Sequence, residues 1–129
     1  FHTENPHVKI GALGQMDVQT LLMASALLIT DFSSIQFDFA YMLKPEIYYQ
    51  FDEARYWGTH HDRGYFDYRV DGFGAVVTTQ EALLTAIETA LASECAVTPE
   101  MQKHIRDTFG ALDDHNCERN HQAIRELMS

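Results

Sequence analysis

The run "ALLIT", residues 26–30, stays apolar up to Thr30 and then stops at Asp31, and this change constrains the fold more than any other stretch of the chain. A continuous apolar run of that length is the pattern of a strand buried on both faces of a parallel sheet. Ser34 to Leu43 reads as a helix, which Pro45 is expected to end because proline lacks an N–H and disfavours helix at the residue before it. "EIYYQ", residues 46–50, reads as the next strand. Strand, helix and strand in such short order specify a β/α unit with a parallel sheet.

The flanking segments extend that rhythm. "HVKIG", residues 7–11, alternates weakly and is read as a short strand. Asp17 is a good N-cap for a helix in "DVQTLLMASA", where Val18, Leu21, Leu22 and Ser25 recur at helical spacing. Residues 51–73 break the pattern with three glycines among many aromatics and are read as a long excursion. "AVV", residues 75–77, is a further strand. In the helix after it, Thr78 and Glu81 have capping-box spacing, and Leu83, Leu84, Ile87, Ala90 and Leu91 form an apolar stripe. Pro99 opens another helix that Gly110 stops, and residues 115–129 form the last one. The expected architecture is a single α/β domain over residues 1–129, a Rossmann-like parallel sheet flanked by helices.

Composition narrows the function. A net charge of −10 argues against a surface that tracks a nucleic acid backbone, which needs a basic patch to release counterions. A small anionic ligand needs only a local nest of N–H groups and a few cations. The sequence holds neither a long apolar span nor a basic, then apolar, leader pattern, so the chain reads as soluble and cytoplasmic. Cys95 and Cys117 lack CxxC spacing and are read as reduced thiols. The chain opens at Phe1 without a Met and is therefore read as a piece of a longer polypeptide.

The chemistry concentrates where "ALLIT" ends. In an open α/β sheet, the loop after a strand and the helix that follows form the usual ligand site. If Ser33 is the N-cap, Gln36 stands at N3, and the serines cap the helix in an S-x-x-Q box. Alternatively, the serine hydroxyls and unpaired N–H groups hold a phosphate. Both readings stand on the sequence. Ile35, Phe39 and Met42 would pack on the sheet, while Ser34, Asp38 and Tyr41 form a polar stripe. Asp38, one turn deeper than the serines, suits vicinal hydroxyls such as those of a ribose.

"LLITDFSSIQFDFAYMLKPEIYY", followed by "RGYFDY", "TTQEALLTAI" and "DDHNCERNHQAIREL", resembles the C-terminal part of the CDP-glycerol glycerophosphotransferase family, enzymes of teichoic acid synthesis. The similarity covers about residues 17–127, with Phe32 in place of the family's Tyr. It implies the nucleotide-binding half of a GT-B architecture, with CDP-glycerol as donor substrate and no cofactor firmly implied. Thr30, Asp31, Ser33 and Ser34 would contact the donor's phosphates and Asp38 its ribose, as the spacing of Asp38 to Pro45 matches an acidic residue and Pro in GT-B enzymes. Leu43 stands where those enzymes often have Gly. Asp113 or Asp114, Cys117 and Arg119 loosely meet the family's terminal motif.

Arg63 is expected to clamp the pyrophosphate, since guanidinium grips oxygens bidentately, with a salt bridge to Asp62 or Asp67 as the structural alternative. His2 is the candidate for the family's catalytic His, although Thr3 rather than Pro follows it. His60 and His61 are read as a solvated loop rather than a metal pair. The implied partners are a missing N-terminal domain that supplies the general base, a nucleotide-diphosphate donor and a lipid-linked acceptor. The full-length protein would then work peripherally at the inner face of the cell membrane. Two rivals remain open: a GT-B transferase using another nucleotide sugar, and a non-catalytic module binding a phospho-ligand.

Overall fold

The computed structural model describes residues 3–11, 14, 16–59 and 64–128. His2, Arg63 and the His60–His61 pair lie outside them. Three short parallel strands, β1 (Leu28–Thr30), β2 (Glu46–Tyr49) and β3 (Gly74–Val77), form a sheet in chain order. In register, Ile47 of β2 stands between Ile29 of β1 and Ala75 of β3. Among the described residues six helices accompany them: α1 (Val18–Ala24), α2 (Ile35–Tyr41), α3 (Glu53–Thr59), α4 (Gln80–Ala92), α5 (Pro99–Phe109) and α6 (Asn116–Leu127). The α/β class and the helix-flanked parallel sheet follow the sequence. Among the described residues no helix is long and apolar enough to cross a membrane.

Central position, more than composition, decides which strand is buried. β2 pairs on both sides and has Glu46, Ile47 and Tyr48 buried. β1 pairs only with β2 among the described residues, and Ile29 is left 44% exposed, so the expected burial of "ALLIT" on both faces does not hold. Residues 7–11 form no strand. The Asn5 side chain accepts from His7 N at 3.0 Å and its carbonyl from Val8 N at 3.1 Å, a local turn that satisfies the backbone without a sheet partner.

The core lies between the sheet, α2 and α5. Phe39 and Ala40 of α2, Phe73 before β3 and Ile105 of α5 are almost wholly buried. Around them Phe37, Leu43 and Phe109 pack, and the Phe73 and Phe109 rings stack at 5.7 Å. On the other face of β2, Ile47 lines an apolar groove of about 400 Å³ together with Ala86 and Ala90 of α4. Leu84 and Leu91 of the expected stripe are instead 52% and 61% exposed, because α4 meets the sheet through its alanine side.

Local chemistry sets most helix ends. Asp17 caps α1 by accepting from Gln19 N at 3.2 Å, as its position predicts. At the other end of α1, the Lys44 ammonium donates to the carbonyls of Leu22, Met23 and Ser25 at 2.6–2.9 Å, matching a cation to the negative end of the helix. Thr79, not Thr78, caps α4 through Ala82 N at 3.2 Å. Within the expected excursion, residues 53–59 fold as α3. α2 stops at Tyr41, ahead of the predicted Leu43 end, because Leu43 takes a left-handed φ of 55°. That conformation favours Gly, and here the Leu43 side chain offsets its strain by packing on the core.

Gln36, Glu46 and Gln50 are polar side chains buried in this interior. Glu46 is 3% exposed; one carboxyl oxygen meets the Tyr48 hydroxyl and the other, Oε2, has no hydrogen-bond partner. Burial pushes its carboxyl up to about 7 from the ordinary 4.5, and the Tyr48 hydrogen bond offsets only part of that. The folded chain thus holds this proton more tightly than the unfolded chain. Stability from Glu46 is fully present below its unfolded pKa and is lost as the pH rises through the folded one. In chemical denaturation, wild type should lose on the order of 3 kcal/mol relative to Glu46→Gln between about pH 4 and pH 8; a flat difference would show that the carboxyl is not desolvated.

Gly74 supplies a second test. A Cβ there would lie 1.9 Å from the Glu46 carbonyl oxygen, a clash with backbone that no rotamer relieves. Gly74→Ala should therefore lower stability by roughly 1–3 kcal/mol or more, read as a reduced urea midpoint.

Candidate functional site

The chain leaves β1 at Thr30 and turns through Asp31, Phe32 and Ser33 into α2. What places this loop is the Phe32 ring. It stacks on Tyr56 of α3 with centroids 3.9 Å apart and 6° between planes, and meets Trp57 and Tyr68 edge-on at 5.5 and 5.7 Å. Such ring pairs add about 0.5–1.5 kcal/mol each beyond the area they bury. The Asp31 carbonyl also accepts from Gln50 Nε2 at 3.5 Å, a long bond to the segment after β2.

The predicted capping box does not form. Ser34 is the N-cap, and its side chain makes no capping bond. Ser33 Oγ accepts from Ile35 N at 3.4 Å, a weak interaction. Gln36 cannot reach back, because its side chain is 2% exposed and turned into the core, where Oε1 accepts from the Tyr48 hydroxyl at 2.6 Å. Ser34 is exposed and capping does not consume its hydroxyl, while half-buried Ser33 is engaged only by that weak bond.

The two faces of α2 fall largely as the spacing predicts. Phe39 is buried, Ile35 and Met42 are half-buried, and Ser34 and Asp38 are exposed on one side. Asp38 thus stands one turn beyond Ser34 on the solvent side despite its two phenylalanine neighbours. Tyr41, third in that stripe, is engaged elsewhere. Its hydroxyl donates to the Asp113 carbonyl at 2.8 Å and accepts from Asn116 Nδ2 at 3.2 Å, tying α2 to the start of α6. Arg119 grips Asp113 with both guanidinium nitrogens at 2.8 and 3.1 Å, so two members of the loosely matched terminal motif form an ion pair.

Beside Ser34 opens a cavity of about 320 Å³ with walls of Phe32, Phe37, Tyr56, Trp57 and Tyr68, and Gln36 at its base. A smaller cavity of about 80 Å³ shares Trp57 and Tyr68 and reaches Arg69, whose guanidinium is held by Glu53 through two bonds of 2.8 and 3.2 Å. Burial raises the Tyr68 phenol above its ordinary range, and a hydrogen bond from Gln36 partly offsets that. Of the predicted residues, Ser34 lines the aromatic cavity, Thr30, Asp31 and Ser33 precede it on the end of β1 and the loop, and Asp38 follows on the exposed side of α2. The sequence reading missed Gln36 as a buried polar group and the aromatic wall as a unit. The signal for the wall was the density of rings between Phe51 and Phe73, which had no strand or helix period to explain it.

The loop, the helix and the aromatic segment lie within the stretch that is similar to known proteins. The family model described as CDP-Glycerol:Poly(glycerophosphate) glycerophosphotransferase matches residues 6–124. The minor teichoic acid biosynthesis protein GgaB of Bacillus subtilis (strain 168) is 35% identical over 109 residues, 84% of this chain and 12% of that protein. A teichoic acid glycerol-phosphate transferase of Staphylococcus aureus (strain NCTC 8325 / PS 47) is 36% identical over 56% of this chain and 18% of its own length. The teichoic acid poly(glycerol phosphate) polymerase of Bacillus subtilis (strain 168) is 40% identical over 56% of this chain and 10% of its own. The chain thus spans less than a fifth of the length of these relatives. No solved structure matches it significantly. With nearly its whole length covered by the family model, the chain belongs to the CDP-glycerol:poly(glycerophosphate) glycerophosphotransferase family.

Proposed function

We propose that this chain is the donor-nucleotide-binding part of a glycerophosphotransferase that moves glycerol phosphate from CDP-glycerol to a hydroxyl on a lipid-linked or polymer acceptor. The observation that carries the reading is the Ser34 hydroxyl, left unused by helix capping on the wall of a cavity lined by aromatic rings, with Ser33 beside it in only a weak bond to Ile35 N. Ser33 and Ser34 bind the diphosphate, with Thr30 and Asp31 shaping the loop. Asp38 accepts from the ribose hydroxyls, and the rings around Phe32 provide a flat apolar wall for the base. Arg63 is assigned to the diphosphate by family resemblance alone, and His2 likewise to the chemistry.

In the reaction, an acceptor oxygen forms a bond to the β-phosphorus as the bond to the CMP oxygen breaks, and a general base takes the acceptor proton. This chain's part is to hold the donor in line and to stabilise the charge that gathers on departing CMP. The base belongs to another part of the full-length protein. That protein would act at the inner face of the cell membrane, where a lipid-linked acceptor is found.

Calorimetry on the chain with CDP, CMP and UDP tests this. CDP should bind more tightly than UDP, and Ser34→Ala and Asp38→Ala should each weaken CDP by about tenfold, the loss of one hydrogen bond to a charged or well-placed partner. Preference for UDP would move the chain to the nucleotide-sugar transferases. CDP binding unchanged in both variants would remove the assignment of Ser34 and Asp38.

A further inference from the structure

Behind the aromatic cavity runs a chain of buried polar groups that nucleotide binding alone does not explain. Gln36, at the base of the cavity, is joined to Tyr48, and Tyr48 to Glu46; the three are 2%, 0% and 3% exposed. Burying three polar side chains in a row is costly unless their hydrogen bonds are complete.

Counting protons shows how they are completed. A phenol hydroxyl has one proton to donate and two lone pairs to accept with. Tyr48 accepts from Phe73 N at 3.0 Å, while Gln36 Oε1 at 2.6 Å and Glu46 Oε1 both lie within reach of its oxygen. One proton cannot serve both acceptors. If Glu46 is a neutral acid, its O–H fills the second lone pair of Tyr48, and Tyr48 donates to Gln36. Glu46 Oε2 is then a carbonyl oxygen, whose lack of a partner is tolerable where that of a carboxylate is not. With Oε1 occupied, the amide N–H₂ of Gln36 is left for the Tyr68 hydroxyl, and both side chains line the same cavity.

We propose that Glu46, acting through Tyr48 and Gln36, is a positioning residue that makes the Tyr68 hydroxyl a hydrogen-bond donor toward a ligand in the aromatic cavity, and that removing the Glu46 proton reverses this polarity. Once ionised, Glu46 accepts a hydrogen bond from the Tyr48 hydroxyl, which keeps its proton. Gln36 then turns its amide so that Nε2 donates to Tyr48 and Oε1 accepts from Tyr68. Tyr68 is left with a lone pair facing the ligand, and an acceptor-rich nucleotide loses a donor. The proposal rests on the nucleotide reading of the site and adds a determinant of its affinity.

The charged and titratable groups around this chain are few. Tyr56, Asp31 and Glu46 itself act electrostatically on Tyr68. His104 of α5 stands 5.6 Å from the Phe73 ring, with its Nε2 3.0 Å from the Asp71 carbonyl oxygen. Lys44, two residues before Glu46, is held by the α1 carbonyls. Among the described residues no cation forms an ion pair with Glu46.

The test is CDP calorimetry on the chain across neutral pH, comparing wild type, Glu46→Gln and Tyr48→Phe. The glutamine amide donates to Tyr48 as the acid does but does not titrate. Wild-type affinity should therefore fall about three- to tenfold relative to Glu46→Gln from about pH 6 to pH 8, and Tyr48→Phe should lose this component of the profile. Superimposable wild-type and Glu46→Gln profiles would overturn the proposal. A second measurement needs no nucleotide: the Gln36 side-chain amide signals in NMR should titrate in wild type and stay still in Glu46→Gln. If CDP does not bind at all, the nucleotide reading fails, while the Gln36 signals still decide whether the chain reverses. Signals that do not move in wild type would sink the proposal whatever CDP does.

Discussion

The hydroxyl of Tyr48 joins segments that the backbone alone would leave separate. It accepts from the Phe73 amide at the entry to β3, reaches Gln36 in α2 and meets Glu46 on its own strand. Its ring also stands edge-on to Tyr68 at 5.0 Å, so the same side chain supports one wall of the aromatic cavity. The sheet has three strands of three or four residues, too little hydrogen bonding to position a site by itself. Rigidity at the serine loop comes from side chains packed behind it. That is why a buried polar group is tolerated here: fully satisfied, it orients its neighbours more sharply than an apolar residue of equal size would.

The sequence showed the order of strands and helices well, and their surroundings less well. β1 and β2 lie inside the stretches expected from their apolar and β-branched runs and β3 begins one residue ahead of its own, while Asp17 and Pro99 mark helix starts through chemistry contained within a few residues. Burial is not contained in that way. "ALLIT" and "EIYYQ" look equally fit for the interior, yet among the described residues only β2 has a neighbour on each side. Likewise the S-x-x-Q spacing at Ser33 was a sound local signal for a capping box. It lost because Gln36 finds a stronger partner in Tyr48, twelve residues away and across the core.

At the site, the polar stripe of α2 was legible because helical spacing determines which side chains share a face. Ser34 and Asp38 are exposed together as that geometry requires. Tyr41, which belongs to the same stripe, is drawn off to hold the segment before α6, a contact over 72 residues of sequence that no local pattern encodes. The aromatic wall was hidden for a similar reason. Phe32, Tyr56 and Tyr68 come from three different segments, and only the fold brings their rings together.

The stacking that fixes the serine loop has a practical side. Trp57 is the single tryptophan of the chain, and it stands edge-on to both Phe32 and Tyr56, with centroids 5.5 and 5.0 Å away. Its indole therefore sits beside the residue that anchors Ser33 and Ser34, on the wall of the cavity itself. The fluorescence of this one side chain gives the protein a built-in optical gauge of its loop, readable without any label.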